Sequence, residues 1–234
     1  LQPGGQALGF SVLGPLAVAF CKWLHDRRAA RPAAGLYFLA RDMYLMREVY
    51  GLLYPEEKTE YLQVSRRSLA PAFLATGEYA CVLAALPRQR LTGAQLASYC
   101  GTVCPEGEAE SVFDLKTPDT KALYAFLAKL PRPETADAVT GYLQSKQLRT
   151  GDILVDIGSG GTTQLLLEKL LGTELHGMQL SADDRLRSRF SAARTEVFLF
   201  DGAPAPRIYW AGQPLLERLL SQDVGATLSY TKTP

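Results

Sequence analysis

A glycine-rich turn between a strand pattern and a helix pattern is the feature that most constrains how this chain can fold. Residues 153–157 read Ile-Leu-Val-Asp-Ile, an apolar run typical of a buried parallel strand. The apolar run at 165–171 predicts a helix. The turn between them is rich in glycines and hydroxyl side chains, namely Gly158, Ser159, Gly160, Gly161, Thr162 and Thr163. We therefore predict a strand, a tight turn and a helix capped by Thr162 or Thr163.

A turn of this composition is suited to binding an anion. Glycines let a ligand approach the backbone closely, and the first amides of a helix are free to donate hydrogen bonds. Asp156 stands at the end of the predicted strand, where its carboxylate can accept hydrogen bonds from sugar hydroxyls or hold a metal ion. The alternative is a tight turn that binds nothing. The combination favours a nucleotide-like or phosphosugar ligand.

The same order of strand and polar turn occurs earlier in the chain. Residues 36–40 predict a strand that ends at Arg41-Asp42, directly before a helix predicted at 43–53. The arginine suits a diphosphate because a guanidinium makes paired, charge-assisted hydrogen bonds. Asp42 can be a ligand, the N-cap of the helix, or both. A surface ion pair between the two side chains is the simpler alternative.

A third predicted strand, at 60–64, is followed by another polar turn, Ser65-Arg66-Arg67. Arg66 and Arg67 are candidate phosphate contacts, and the alternative is a solvated basic turn. The carboxyl ends of parallel strands meet at one edge of a sheet, where ligands bind in open α/β folds. We therefore expect the three strands to be parallel and their polar turns to form one site.

Residues 70–150 differ from the rest, because prolines divide them into helical stretches and no strand pattern stands out. The predicted helices are 71–86, 93–100, 117–130 and 134–148. We interpret this region as a helical insertion that covers the site and selects an acceptor. We therefore predict three regions along the chain. Residues 1–69 contain the N-terminal helix and the first strands of the α/β core. Residues 70–150 form the helical insertion, and residues 151–234 form the glycine-loop half of the core.

The end of the chain is less distinct. Patterns typical of strands occur at 174–180, 196–200, 207–210 and 227–230, and a helix is predicted at 213–220. Near the end of that helix, Glu217, Ser221 and Gln222 can face the site.

Charge and composition argue against several classes of function. The formal net charge of +1 gives no electrostatic reason to expect a nucleic acid or an anionic membrane as partner. No apolar run reaches the length of a transmembrane segment. The four cysteines and two histidines do not form a metal-binding array. We expect a reduced, cytoplasmic domain that is part of a longer protein.

Two families carry a turn of this kind. Residues 153–161 resemble the first motif of S-adenosylmethionine-dependent methyltransferases, and they also resemble the phosphoribosyl pyrophosphate (PRPP) motif of type I phosphoribosyltransferases. A methyltransferase usually carries its glycine motif on the first strand, whereas most of this chain precedes it. The methyltransferase interpretation also leaves the polar turns at Arg41 and Arg66 without a role.

A wider combination of segments favours the second family. Residues 36–50, 61–69 and 155–164 together resemble a bacterial group in which a phosphoribosyltransferase-like domain accompanies a haloacid-dehalogenase-type (HAD-type) phosphatase in capsule and O-antigen assembly. The resemblance implies a Rossmann-like parallel sheet of the phosphoribosyltransferase type with a helical insertion. It also implies transfer of a 5-phosphoribosyl group from PRPP to a sugar hydroxyl of a surface polysaccharide, with Mg²⁺ as cofactor. A partner phosphatase would then remove the 5-phosphate, so that a ribofuranose remains on the glycan. The proteins would be cytoplasmic and peripheral at the inner face of the membrane.

The resemblance also assigns roles to residues. Asp156 matches the acid that binds the ribose hydroxyls, and Arg41 and Asp42 match the turn that grips the pyrophosphate, so these three are the expected catalytic residues. Asp42 and Asp156 are the expected Mg²⁺ ligands. The expected PRPP-binding residues are Arg41, Asp42, Arg66, Arg67, Asp156, Gly158, Ser159, Gly160, Gly161, Thr162 and Thr163.

Two positions depart from the family pattern. Val155 replaces the first acid of the motif, so Asp42 is expected to supply the missing carboxylate. Ser159 stands where some nucleotide-forming members place a catalytic aspartate, so the general base is expected elsewhere, at Asp42 or Asp183. The alternatives to transfer from PRPP are a methyltransferase and a non-catalytic domain that binds a phosphosugar and scaffolds a partner enzyme.

Overall fold

Five parallel strands form the central sheet of the protein. The computed structural model describes residues 7–201 and 207–231. The strands of the central sheet are β1 (Leu36–Leu39), β2 (Glu60–Leu62), β5 (Ile153–Ser159), β6 (His176–Ala182) and β7 (Thr195–Leu199). Two further strands, β3 (Arg90–Thr92) and β4 (Val112–Asp114), form a separate small sheet. The sheet order is β2-β1-β5-β6-β7, and each neighbouring pair is parallel. The expected α/β class with a Rossmann-like sheet is confirmed, as is the parallel arrangement of the three strands that precede polar turns.

Helices alternate with these strands along the chain. They are α1 (Gly14–Arg28), α2 (Tyr44–Leu53), α3 (Arg66–Thr76), α4 (Tyr79–Ala85), α5 (Gly93–Tyr99), α6 (Thr120–Leu127), α7 (Ala136–Ser145), α8 (Thr162–Leu171), α9 (Asp184–Arg189) and α10 (Arg207–Leu220). In the described residues no helix is both long enough and apolar enough to cross a bilayer.

One face of the sheet carries a hydrophobic core with helices α1, α2 and α10. Alternate residues of the central strands point to this face, as the two-residue period of a strand requires. Phe38, Val155 and Met178 are fully buried there, against Phe20 of α1 and Tyr50 of α2. Asp156 is adjacent to one of these core positions in sequence and therefore points to the opposite face.

The strand order reverses direction between β1 and β5. From β1 the chain continues to β2 on one side, and it later returns to place β5 on the other side of β1. The crevice at the carboxyl ends of two such strands is where open α/β sheets bind ligands. The turns after β1 and at the end of β5 are those that carry Arg41, Asp42 and the glycines.

The described residues divide into two compact units. The first contains the parallel sheet and comprises the residues up to Gln63, Arg149–Gln164 and Thr173–Gly225. The second comprises Val64–Leu148, Leu165–Gly172 and the residues from Ala226. In the second unit, β3 and β4 pair in antiparallel fashion, which corrects our prediction that 70–150 lacks strands. Each strand has three residues, too few for an alternating pattern to be recognised.

Two predictions for the end of the chain are wrong. Residues 207–210 begin helix α10 instead of forming a strand, and residues 227–230 are irregular. In the second unit the irregular segment is held by side chains, since Ser65 Oγ donates a 2.5 Å hydrogen bond to the carbonyl of Thr227. The rings of Tyr230 and Tyr142 stack 4.6 Å apart. Local β propensity at these positions is overridden by tertiary contacts.

We predict that Gly158→Ala strongly destabilises the sheet. Gly158 has φ of +104°, and a Cβ atom there would lie 1.8 Å from the carbonyl oxygen of Ser181. Backbone strain and overpacking together should lower the free energy of unfolding by about 2–6 kcal/mol, measured by urea denaturation.

The matched control is Gly212→Ala, in helix α10 of the same unit. A Cβ at Gly212 meets no atom within 4 Å. Alanine is favoured over glycine inside a helix, so this variant should gain about 0.5–1 kcal/mol. Equal stabilities for the two variants would contradict the close contact between β5 and β6.

Candidate ligand site at the carboxyl edge of the sheet

Two carboxylates that are distant in sequence come together at the carboxyl edge of the sheet. Asp156 lies in β5, and Asp42 follows β1, the neighbouring strand. Their negative charges are close enough for Asp42 to raise the pKa of Asp156. The structure thus places both predicted acids at the crevice between β1 and β5.

The Asp156 carboxylate is in an unfavourable environment. Its pKa is raised from 3.8 to about 7, first because burial penalises the charged form, then because of repulsion from Asp42. Backbone amides of Gly158 and Ile157 donate hydrogen bonds that lower the pKa, while Glu217 raises it further. A carboxylate with this shift at a strand-end crevice is a marker of functional sites.

Asp42 is held by helix α10. Its Oδ1 atom accepts a 2.8 Å hydrogen bond from the hydroxyl of Ser221, the residue that follows this helix. Helix α2 begins at Tyr44, its N-cap is Met43, and no side chain caps it. The interpretation of Asp42 as an N-cap is therefore wrong, and its carboxylate accepts from Ser221 instead.

Arg41 has a fixed backbone and a loosely held side chain. Its carbonyl accepts hydrogen bonds from the amide of Gln222 at 3.2 Å and the hydroxyl of Tyr61 at 3.4 Å. The guanidinium makes only long contacts with the described residues, 3.8 Å to Asp42 Oδ1 and 3.5 Å to the carbonyl of Val224. The side chain is 44% exposed. A guanidinium so placed can turn towards an anion at the crevice.

The glycine turn is shorter than the sequence suggests. Strand β5 extends through Gly158 to Ser159, and these residues pair with Ser181 and Ala182 of β6. Helix α8 begins at Thr162, so both predicted caps, Thr162 and Thr163, are helical residues. The side chain of Ser159 lies outside the described part of the chain.

Protein packing accounts for much of the glycine content. Gly158 is required by its contact with β6, and Gly161 has φ of +64° with Leu186 and Phe190 directly against it. A Cβ at Gly160 would lie 3.2 Å from the side chain of Arg185. The alternative of a turn shaped by packing therefore explains the glycines, while the site itself depends on the charged side chains around them.

Two arginines of helix α9 lie against this turn, and we did not predict them. Arg189 Nη1 donates hydrogen bonds of 2.5 Å to the carbonyl of Gly160 and 2.7 Å to Thr162 Oγ1. Arg185 contacts Gly160 and forms an ion pair with Asp183. The signal in the sequence was the alternation of arginines in residues 184–189. Positive charge at this turn favours an anionic ligand.

Arg66 and Arg67 belong to the second unit. They are the first residues of α3, which is capped by Ser65 through a hydrogen bond from the Ser68 amide. Arg67 lies over the ring of Tyr99, 5.1 Å from its centroid. This cation–π contact gives Arg67 a structural role, and the geometry of the sheet unit assigns neither arginine to the crevice.

The donor set at the crevice fits Mg²⁺. This ion is commonly held by one or two carboxylates together with water and substrate phosphates. Asp42 and Asp156 would be its ligands, whereas no cluster of three or more acidic, histidine or cysteine side chains in the described residues could hold a metal. The residues therefore fit an ion that arrives with a phosphorylated ligand.

No protein-family model matches the sequence, and no curated protein is significantly similar to it.

We predict that Asp156→Asn stabilises the protein above neutral pH in chelator-containing buffer. Because the folded-state pKa is raised, the folded protein binds more protons than the unfolded chain between pH 3.8 and about 7, and stability is lost as pH rises through that range. The full shift corresponds to about 4 kcal/mol, and partial exposure of the side chain reduces the expected gain to about 1–3 kcal/mol at pH 8. Thermal unfolding from pH 5 to 8 should show the gain shrinking towards pH 5.

Asp152→Asn is the control for this experiment, because Asp152 is a structural acid beside the same strand. Its two oxygens accept 2.7 Å hydrogen bonds from the amides of Gly35 and Arg149. An asparagine cannot satisfy both amides, so this variant should lose about 1–3 kcal/mol. A loss of stability in both variants at pH 8 would show that Asp156 is a structural residue.

Proposed function

We propose that the protein is a phosphoribosyltransferase that transfers a 5-phosphoribosyl group from PRPP to a sugar hydroxyl. The observation that carries this proposal is the pair of carboxylates, Asp42 and Asp156, at the switch point of the sheet, with Asp156 half-buried beside a like charge. Such a pair lowers stability and is explained by a ligand that compensates for the charge. A magnesium-bound phosphosugar offers both a cation and hydroxyl donors.

The reaction places opposite charges at the two ends of the breaking bond. As pyrophosphate leaves C1, the ribose ring becomes positive and the leaving group gains negative charge. Asp156 would bind the ribose hydroxyls and stabilise the positive ring. Arg41, with a half-exposed guanidinium at the end of β1, would bind the pyrophosphate. The bound Mg²⁺ ion would neutralise charge on the leaving group.

The glycine turn would bind the 5-phosphate, remote from the bond that breaks. Gly160, Gly161 and the start of α8 would supply backbone amides, and Arg185 and Arg189 lie beside them. Binding energy from this remote phosphate would orient the ribose for reaction at C1. The 5-phosphate and the pyrophosphate of the donor would thus bind at two different turns, the glycine turn and the Arg41 turn.

The acceptor in this proposal is a sugar of a bacterial surface polysaccharide. A HAD-type phosphatase would act next and remove the 5-phosphate to give a ribofuranose. This part depends on the resemblance of segments 36–50, 61–69 and 155–164 to capsule and O-antigen proteins. An enzyme with this role would work in the cytoplasm, at the inner face of the membrane.

We expect isothermal titration calorimetry to detect binding of PRPP in the presence of Mg²⁺ and none of S-adenosylmethionine. Binding of PRPP should be weaker after Mg²⁺ is removed with a chelator, because Asp42 and Asp156 would hold the ion and it would offset the charge of the donor phosphates. Tight binding of S-adenosylmethionine with none of PRPP would make the methyltransferase the correct function. PRPP binding without turnover would favour a scaffold domain.

We also expect two variants to distinguish the roles of Asp156 and Arg41 in binding and transferring the donor. Asp156→Ala should abolish transfer while the fold stays intact, because this acid contributes little packing. Arg41→Ala should weaken PRPP binding by about 1.5–3 kcal/mol, or roughly 10- to 150-fold, for loss of a charge-assisted contact. Arg218→Ala, an exposed position of α10, is the control and should bind PRPP as the wild type does. If Arg41→Ala and the wild type bound PRPP with equal affinity, Arg41 would not be a donor contact.

A further inference from the structure

Gln179, in β6, is a buried glutamine whose side-chain carbonyl has no hydrogen-bond partner among the described residues. The residue is 1% exposed. The hydroxyl of Ser181, two residues further along the strand, donates a 3.4 Å hydrogen bond to the carbonyl of Ile157 and is therefore engaged elsewhere. A buried acceptor without a donor costs free energy and is rare in native proteins. The fold itself gives no reason for an amide at this position.

Another glutamine of the sheet unit shows how a structural amide is paired. Gln164 is equally buried, at 1% exposure. Its Nε2 atom donates to the carbonyl of Leu175 at 3.2 Å, and its Oε1 atom accepts from the hydroxyl of Thr195 at 3.3 Å. Gln179 differs, because its Oε1 atom has no such donor in the described part of the chain.

The side chain of Gln179 lies beside Asp156. The two residues are paired across β6 and β5, so their side chains leave the sheet on the same face, from backbones about 4.8 Å apart. The carbonyl of Gln179 is also close to the end of β5, since a Cβ atom at Gly158 would lie 3.2 Å from its Oε1 atom. The amide of Gly158 in turn donates to the Asp156 carboxylate. Gly158 therefore has an acid and an unpaired amide carbonyl beside it at the carboxyl edge of the sheet.

Two neighbouring acceptors need donors from elsewhere. A charged carboxylate accepts hydrogen bonds and donates none, and the same holds for the carbonyl oxygen of an amide, so Asp156 and Gln179 Oε1 cannot satisfy each other. A sugar with hydroxyls on neighbouring carbon atoms offers two adjacent donors. Asp156 is half-buried and within reach of a ligand, and the terminal torsion of a glutamine is soft enough for the amide to turn towards it.

We propose that Gln179 accepts a hydrogen bond from one ribose hydroxyl of the donor while Asp156 accepts from the neighbouring hydroxyl. The inference rests on the proposed function and adds to it a residue that selects the sugar. Ribose has both hydroxyls and satisfies both acceptors. A deoxy sugar lacks one of them, so either the carboxylate or the amide stays unpaired in the complex, which costs affinity. Gln179 is therefore a determinant of sugar specificity.

The test measures binding of ribose 5-phosphate and of its 2-deoxy and 3-deoxy analogues by isothermal titration calorimetry at pH 8, where Asp156 is mostly charged. We expect the wild type to bind each deoxy sugar about 5- to 150-fold more weakly than ribose 5-phosphate, for one unpaired acceptor. Gln179→Met, which nearly keeps the size of the side chain, should bind ribose 5-phosphate more weakly by a similar factor. It should no longer distinguish ribose 5-phosphate from one of the deoxy sugars, while selectivity against the other remains.

Thermal unfolding without ligand tests whether Gln179 is instead a structural residue. Methionine removes an unpaired acceptor, so Gln179→Met should melt at or above the wild-type temperature. Gln164→Met is the matched control and should melt lower, because it removes the hydrogen bonds to Leu175 and Thr195. A comparable loss of stability in Gln179→Met would overturn the inference.

Two binding results would also overturn it, namely equal affinity of the wild type for all three sugars and unchanged selectivity of Gln179→Met against both deoxy sugars. Titration with PRPP and Mg²⁺ separates this inference from the proposed function. A wild type that selects ribose 5-phosphate but does not bind PRPP would overturn the donor assignment and leave the role of Gln179 in ribose binding intact. A wild type that binds none of the sugar phosphates would overturn both.

Discussion

Desolvation of Asp156 beside the like charge of Asp42 is the constraint on which the candidate site depends. Parallel pairing of β5 with β1 brings the end of one strand beside the turn that follows the other, so the backbone places the two acids close together. Burial makes their proximity more costly, because less water is available to screen the charges. The hydrogen bond from Ser221 and the backbone amides of Gly158 and Ile157 hold the acids in place without neutralising them.

The glycine turn illustrates how one local pattern can serve two purposes. Gly158 allows the backbones of β5 and β6 to meet, and Gly161 makes room for Leu186 and Phe190 of α9. These contacts would be needed in any protein with this sheet, with or without a ligand. What distinguishes the turn is the positive charge around it, since Arg185 and Arg189 lie against residues 160–162. An anionic ligand at this turn would meet both the N-terminal amides of α8 and these guanidiniums.

Helix α10 belongs both to the core of the sheet unit and to its carboxyl edge. Leu216 and Leu220 pack into the core, and Ser221, just after the helix, donates a hydrogen bond to Asp42 at the edge. A helix can do both because its faces are set by a period of 3.6 residues. Ser221 then fixes the helix end to Asp42, so a change in the position of α10 would also move a carboxylate of the crevice.

Local patterns in the sequence were sufficient for the five strands of the parallel sheet and for the positions of Arg41, Asp42 and Asp156 at its edge. These follow from apolar runs, strand-end polar residues and turn composition, which act over a few residues. The sequence by itself did not determine the partners of those side chains. Tertiary structure decided that Asp42 binds Ser221 and not its own helix, that α9 covers the glycine turn, and that residues 207–210 are helical. Each of these depends on contacts between segments far apart in the chain, which no short pattern encodes.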